Sequence, residues 1–246
     1  MSESRNAQAD LKANKITQRK IQYWVIPPSR KNNSEYVARM EDVLALYAEP
    51  YDPRQPVLCM DEQPITRHQD VHSPIPASKN HAKRVDYEYE RGGTVSLFMV
   101  CEPLIGWRQA TVRERRTKVD WAETMAEVIH TRYADAPTIR LVCDNLNTHT
   151  PGAFYEAFDA TTARALLERL EFHYTPTHGS WLNVAESELS VLTRQCITNR
   201  RMSNLKLVQQ QTHAWSIATN NRQRPVNWQF KTDDARIKLK SLYPNS

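Results

Sequence analysis

Two short apolar runs, VLCM at 57–60 and IRLVC at 139–143, each stop at an aspartate, Asp61 and Asp144. Runs this short, rich in aliphatic residues and bounded by turn formers, are strands covered on both faces rather than helices. Strands covered on both faces need a layer above and a layer below. The fold is thereby restricted to a sheet flanked by helices.

The rest of the pattern agrees. Val37, Met40, Val43, Leu44 and Tyr47 recur at helical spacing, so 35–48 reads as an amphipathic helix. Residues 64–84 have little periodicity and read as a loop. An alternating stretch at 85–91, then Gly92-Gly93, then an apolar stretch at 94–101 reads as a hairpin. GWRQATVRERR offers a third strand, and Val119, Trp121, Met125, Val128 and Ile129 mark a helix over 118–133. After the strand ending at Asp144 come helical spacing at 151–170, a strand in LEFHYTP, and helices at 181–197 and 203–221. A hairpin followed by alternating helices and strands predicts an α/β protein with a mixed sheet and helices on its faces.

Charge is segregated along the chain. The net charge is +5, but residues 1–34 carry +5, residues 191–246 carry +8, and the middle carries −8. Basic ends suit a polyanion such as nucleic acid, and an acidic middle that also meets phosphate makes sense if carboxylates hold cations. The alternative is that the basic ends are simply solvated. No apolar run approaches the length of a membrane span, and no apolar signal core opens the chain. This points to a cytoplasmic protein. Cys59, Cys101, Cys143 and Cys196 match no zinc spacing and read as buried free thiols.

In a sheet with parallel neighbours, the carboxyl ends of strands gather at one edge, where ligands bind. If the strands ending at Asp61 and Asp144 are adjacent, two carboxylates approach each other there, and they stay charged only with a cation between them. Oxygen ligands without clustered Cys or His point to Mg²⁺ or Mn²⁺. Each aspartate could instead merely start a turn or cap a helix. A third acid is sought in the helix at 181–197, where Ala185, Leu189, Leu192 and Cys196 form the buried stripe. Glu186 and Glu188 flank that stripe on opposite sides, roughly 160° apart at ~100° per residue, so they cannot share one site. Geometry leaves the choice open, and Asn183 with Glu186 also fits a capping box.

Three blocks, VLCMDEQP, LVCDNLNTHT and HYTPTHGSWLNVAESELSVLTRQC, resemble the DDE transposases of bacterial insertion sequences related to the mariner superfamily. The resemblance covers roughly 35–246. It implies an RNase H-like, retroviral-integrase-type mixed sheet of five strands with helices on both faces. It also implies a catalytic, metal-binding triad of Asp61, Asp144 and Glu186, because the family glutamate follows a Leu-Asn pair by three positions. Glu62, next to Asp61, is not the family acid and should point elsewhere.

The activity implied is DNA cleavage at transposon ends and strand transfer with two Mg²⁺ or Mn²⁺ ions. The implied partners are double-stranded DNA with terminal inverted repeats, a TA-containing target and a second copy of the chain, in a nucleoid-associated setting with no membrane. Asn145, His149, His178 and Trp181 are candidate contacts to phosphate or a flanking base, with packing and turn roles as the alternative. Arg194, Arg200, Arg201, Lys206, Arg222 and Arg224 are candidate backbone contacts. The expected divisions are a basic arm at 1–34, a catalytic domain at 35–222 and a basic tail at 223–246. An arm of that size cannot hold the two helix-turn-helix domains of full-length relatives. Two competing readings are a silent transposase that only binds DNA and another RNase H-like nuclease.

Overall fold

The computed structural model describes residues 33–84, 86–198 and 200–244. The expected arm at 1–34 and its Pro27-Pro28 linker lie outside these, apart from the residues that begin the first helix. Five strands form one sheet in the order β3-β2-β1-β4-β5. They are β1 (Val57–Asp70), β2 (Tyr89–Glu102), β3 (Trp107–Arg113), β4 (Ile139–Cys143) and β5 (Leu170–Tyr174). The first three form an antiparallel meander, and β4 and β5 run parallel to β1. The expected mixed five-stranded sheet with helices on both faces is therefore met.

Period-two alternation sorts the strand residues between two cores. Cys59, Leu97, Met99, Cys101 and Val142 face one layer, built from α1 (Asn33–Ala48), α5 (Val184–Leu192), α6 (Leu205–Asn220) and α7 (Thr232–Lys238). Leu58, Met60, Phe98, Val100, Leu141 and Cys143 face the other, with α2 (Lys118–Thr131), α3 (Gly152–Ala157) and α4 (Ala160–Leu167). All four cysteines are free and buried, as expected. Among the described residues no helix is long and apolar enough to cross a membrane.

Three sequence expectations fail along the outer half of the β1–β2 ladder. β1 does not end at Asp61 but runs on to Asp70, through the stretch read as the start of a loop. β4 pairs with β1 only over Val57–Cys59, so beyond that one edge of β1 is free of a strand neighbour. A proline is tolerated there because its missing N–H leaves no ladder bond unmade, and Pro64 pairs on the other side with Ser96. Gly92-Gly93 is likewise no turn, since β2 passes straight through it. The ladder shifts between Thr66↔Thr94 and His68↔Arg91, so one residue of β1 faces two of β2. Gly93, at φ +88°, occupies the left-handed position of that bulge. The expected strand at 85–91 begins only at Tyr89, and the reversal lies in 71–88.

The outer edge of β3 is closed by side chains. Asn220 accepts from the Arg108 N–H and donates to the Arg108 carbonyl, both at 2.8 Å. Ser216 Oγ accepts from the Ala110 N–H at 3.2 Å, and Gln209 donates to the Val112 carbonyl at 3.2 Å. Alternate strand residues thus meet one face of α6. The segment expected as a basic tail crosses the same layer: Ala235 and Leu242 are buried, and Val226, Trp228 and Phe230 pack against the core. Its passage is close enough that a Cβ on Gly106, at φ +70°, would lie 2.5 Å from the Arg224 backbone.

Candidate active site

β1 and β4 pair in parallel with Val57↔Arg140, Leu58↔Leu141 and Cys59↔Val142. Carried two residues further, that register sets Asp61 level with Asp144. The two aspartates therefore project at the same sheet edge, as expected from the apolar runs they terminate. Burial, reinforced by the neighbouring charges of Asp144 and Glu62, pushes the Asp61 carboxyl up to about 7. Its Oδ1 accepts from the Glu62 N–H at 2.8 Å.

Asp144 behaves oppositely. Burial would raise it, but His149 Nδ1 donates to its Oδ1 at 2.6 Å, helped by the Leu146 N–H and the charge of Arg116, and its pKa falls. The other nitrogen of His149, Nε2, contacts Glu62 Oε2 at 2.8 Å. Burial opposes charge on this imidazole, yet the two carboxylates outweigh it and lift the pKa to about 9. A protonated His149 donates to both acids at neutral pH. Glu62 thus does not simply point away, because through His149 it braces Asp144. Arg116 closes the group at 3.7 Å from Glu62, with about half its side chain exposed. Sequence reading missed Arg116 and this bridge. The only available signals were the RERR run just before α2 and a buried acid beside Asp61.

The third acid comes with α5. A single 3₁₀ turn at Ser180–Leu182 leads into Asn183, which caps the helix by accepting from the Ala185 N–H at 3.1 Å. The amide of Asn183 also donates to the Met60 carbonyl at 2.9 Å, pinning the helix start beside Asp61. Glu186 does not complete a capping box. Its side chain is exposed and has no hydrogen-bond or ion-pair partner among the described residues. It lines an open cleft of about 490 Å³ together with Asp61, Glu62, Ser190, Thr193 and Arg194. Glu188 is buried on the other flank, in a two-pronged pair with Arg108 at 2.6 and 2.7 Å. After Leu192 the helix does not continue as α to 197 but opens into a π-helical turn, Thr193–Ile197. That turn sets Thr193 and Arg194 at the cleft wall.

The other candidates divide. Asn145 and His178 are exposed, His178 in the left-handed region at φ +63°. His149 is corrected to an internal brace, since it is fully buried with both ring nitrogens engaged. Trp181 is half-buried, stacks on Trp228 and donates to Tyr36, a packing role. Arg194, Arg200, Lys206, Arg222 and Arg224 are exposed. Arg201 is not a free cation, for it pairs with Asp70 and donates to the carbonyls of Asp86 and Glu88.

The donor set fits a hard divalent cation. It offers carboxylate oxygens, one of them held at a raised pKa by burial and by the neighbouring carboxylates, and an unpartnered third carboxylate on the same cleft as the first. Among the described residues, no three His, Cys, Asp or Glu side chains converge closely enough to hold an ion as they stand.

A family model described as DDE superfamily endonuclease matches residues 56–209. That span runs from the start of β1 into α6. Among solved structures, that of the Mos1 strand transfer complex superposes with a TM-score of 0.58 at 12% identity, over 89% of this chain and 64% of that one. The pre-cleavage Mos1 transpososome gives 0.56 at 12% identity, over 96% and 70%. The Mos1 mariner paired end complex with Mn gives 0.54 at 12% identity, over 89% and 67%. These likenesses are of fold, RNase H-like, and the chain spans less than two thirds of the first of those proteins. No curated protein sequence matches the chain.

Proposed function

The chain belongs to the DDE superfamily of endonucleases, and on that premise we propose that it is the catalytic part of a transposase, cutting DNA at transposon ends and joining it to a target. The observation that carries this reading is that Asp61 and Asp144 lie near enough, just beyond the parallel β1–β4 pairing, for the charge of one to raise the pKa of the other, with an unpartnered Glu186 on the same cleft as Asp61. Asp61, Asp144 and Glu186 would hold two Mg²⁺ or Mn²⁺ ions. When bound, these supply a Lewis acid for the phosphate and lower the pKa of an attacking water or 3′-hydroxyl. The Mos1 complex described with Mn supports a divalent ion as the partner of such a fold.

The chain's own groups do the rest. Asn183 ties the helix start to Met60, inside β1 and next to Asp61, so Glu186 and Asp61 face one opening. Glu62 and His149 hold the Asp144 carboxylate in one orientation and spare it the cost of standing unpaired. Arg116 keeps a cation at the rim, where a phosphodiester would approach. In the cleavage step, water attacks phosphorus and the DNA 3′-oxygen leaves with a proton as hydroxyl. In the joining step, that hydroxyl attacks a target phosphodiester, so the new 3′-ester bond forms as the target's own 3′-oxygen leaves and takes up the proton as a hydroxyl. The finer parts of the reading rest on the resemblance of the three sequence blocks: a bacterial insertion sequence, inverted terminal repeats, a homodimer on paired ends, a TA target and a nucleoid-associated location.

The test is Asp144→Asn with end-containing duplex and Mn²⁺. Nicking should fall at least about 10³-fold while the far-ultraviolet spectrum stays unchanged, and a mutant that nicks as fast as its parent overturns the assignment. A second reading, a module that holds DNA without cutting it, is favoured by one observation: the three acids do not yet converge. Salt-sensitive binding with no nick in either metal would select it.

A further inference from the structure

Beyond the acid cleft, β1 carries a second groove of about 540 Å³. Gln63 and Thr193 line both, and Gln63 Nε2 donates to Thr193 Oγ1 at 2.5 Å, so one hydrogen bond forms the sill between them. The two clefts differ in charge. The first holds Asp61, Glu62 and Glu186, whereas no acid lines the second.

What lines the second instead is aromatic and basic. Tyr87 is 95% exposed and Tyr89 50% exposed. Tyr89 packs edge-on against His68, with ring centroids 4.5 Å apart. Arg200 spends its hydrogen bond on the neutral Gln211 and has no carboxylate partner among the described residues. Two large exposed rings lining one groove form the kind of apolar patch that marks an interaction surface. Nor is Tyr87 presented by loose backbone, because Arg201 clamps the carbonyls of Asp86 and Glu88 on either side of it.

We propose that this groove holds an unpaired stretch of nucleic-acid strand leading out of the acid cleft, with bases stacked on Tyr87 and Tyr89 and a phosphate at Arg200. Flat rings beside an unpaired cation and no acid are the features that single-strand sites use, because every base has a face to stack and every linkage a charge. The inference rests on the nucleic-acid substrate of the preceding section, but not on cleavage.

The probe pair is a fluorescein-labelled duplex ending in a single-stranded fork and the same duplex blunt, with the full chain in EDTA so that nothing is cut. The parent should prefer the fork. Tyr87→Ala with Tyr89→Ala should weaken fork binding about tenfold or more and leave blunt binding within about twofold. The Phe pair should keep the preference, which separates stacking from a folding defect. Arg200→Gln should reduce the salt slope on the fork by about 0.7. A parent indifferent to the fork, or an equal loss on both probes, overturns the proposal. The two readings fail separately. A chain that needs its tyrosines for the fork but never nicks loses the cleavage reading only. A chain that nicks while ignoring the tyrosines loses the groove only.

Discussion

Glu188 lies on the buried flank of α5, its two oxygens taken by one guanidinium, while Glu186, half a helical turn away, faces the open cleft. Their spacing alone could not separate them, because the partner of Glu188 is 80 residues distant on β3. The resemblance chose Glu186, and the geometry explains why the other is occupied. Removing one partner of a buried pair strands the other charge. Glu188→Gln should therefore cost about 3 kcal/mol or more, read as a lower urea midpoint at unchanged slope. Glu186→Gln should leave that midpoint within about 0.5 kcal/mol and abolish metal-dependent nicking. Reversed outcomes would exchange their roles.

Asp61 supplies a prediction in pH. Its folded pKa of about 7 lies above the value near 3.9 of an unfolded chain, so the folded state holds the proton more tightly. Below pH 4 the group is neutral in both states and costs nothing. Stability is then lost as pH rises from about 4 to 7 and stays lost above. Asp61→Asn should raise the melting temperature of the metal-free chain at pH 8, by roughly 2 kcal/mol or about 4–8 °C, with the gain fading toward pH 4. Mn²⁺ should stabilise the parent and not the mutant. No gain at pH 8 would mean that Asp61 is not under strain. The aspartates themselves were legible because apolar runs ended at them. The His149 bridge was not, since no pattern in the chain announces that residue 149 meets residue 62.

At the scale of elements, the sequence misled where one signal serves two structures. Gly-Gly marks a turn or a bulge equally well, and only the register opposite Thr66 and His68 decides for the bulge. Proline and histidine between 64 and 72 hid the outer half of β1, because an edge free of strand neighbours accepts residues that a central strand refuses. The edge of β3 shows what a covered edge requires. Exposed edges invite pairing with other chains, and here Gln209, Ser216 and Asn220, spaced to share one face of α6, fill the vacant hydrogen bonds. Asn220→Ala leaves both backbone groups of Arg108 unmet and should cost about 1–3 kcal/mol. Gln210→Ala, on the exposed side of the same helix, should stay within about 0.5 kcal/mol in the same urea titration. Equal effects would show that helix propensity, not the edge, is being measured.

At the scale of the whole molecule, the alternation of short strands and helices was enough to give an α/β sheet with two covered faces. It was not enough to show where the folded body stops. Charge dominates residues 223–246 to the eye, and the apolar positions Val226, Trp228, Phe230, Ala235 and Leu242 follow neither a period of two nor one of 3.6 for long enough to register. In three dimensions they close the layer over α1. Trp228 lies 4.9 Å from the ring of Tyr47 and stacks toward Trp181, and the backbone of Val226 donates to Pro103 at 2.8 Å. Tyr47 in turn donates to the Leu182 carbonyl, in the turn that leads to Asn183 and Glu186. The segment at 223–246 therefore buttresses the element that presents Glu186. A chain ending at Arg224 loses a packed tryptophan, worth about 3–5 kcal/mol alone, from a fold whose whole stability is of order 5–15 kcal/mol. It should unfold without a sharp urea transition, or with its midpoint lowered by a third or more. Neutralising Lys231 and Lys238 in the intact chain should leave the midpoint nearly unchanged, because the exposed pair of Lys238 with Asp234 is worth little. If truncation is harmless, the segment is a tail after all, and Glu186 owes its position to Asn183 alone.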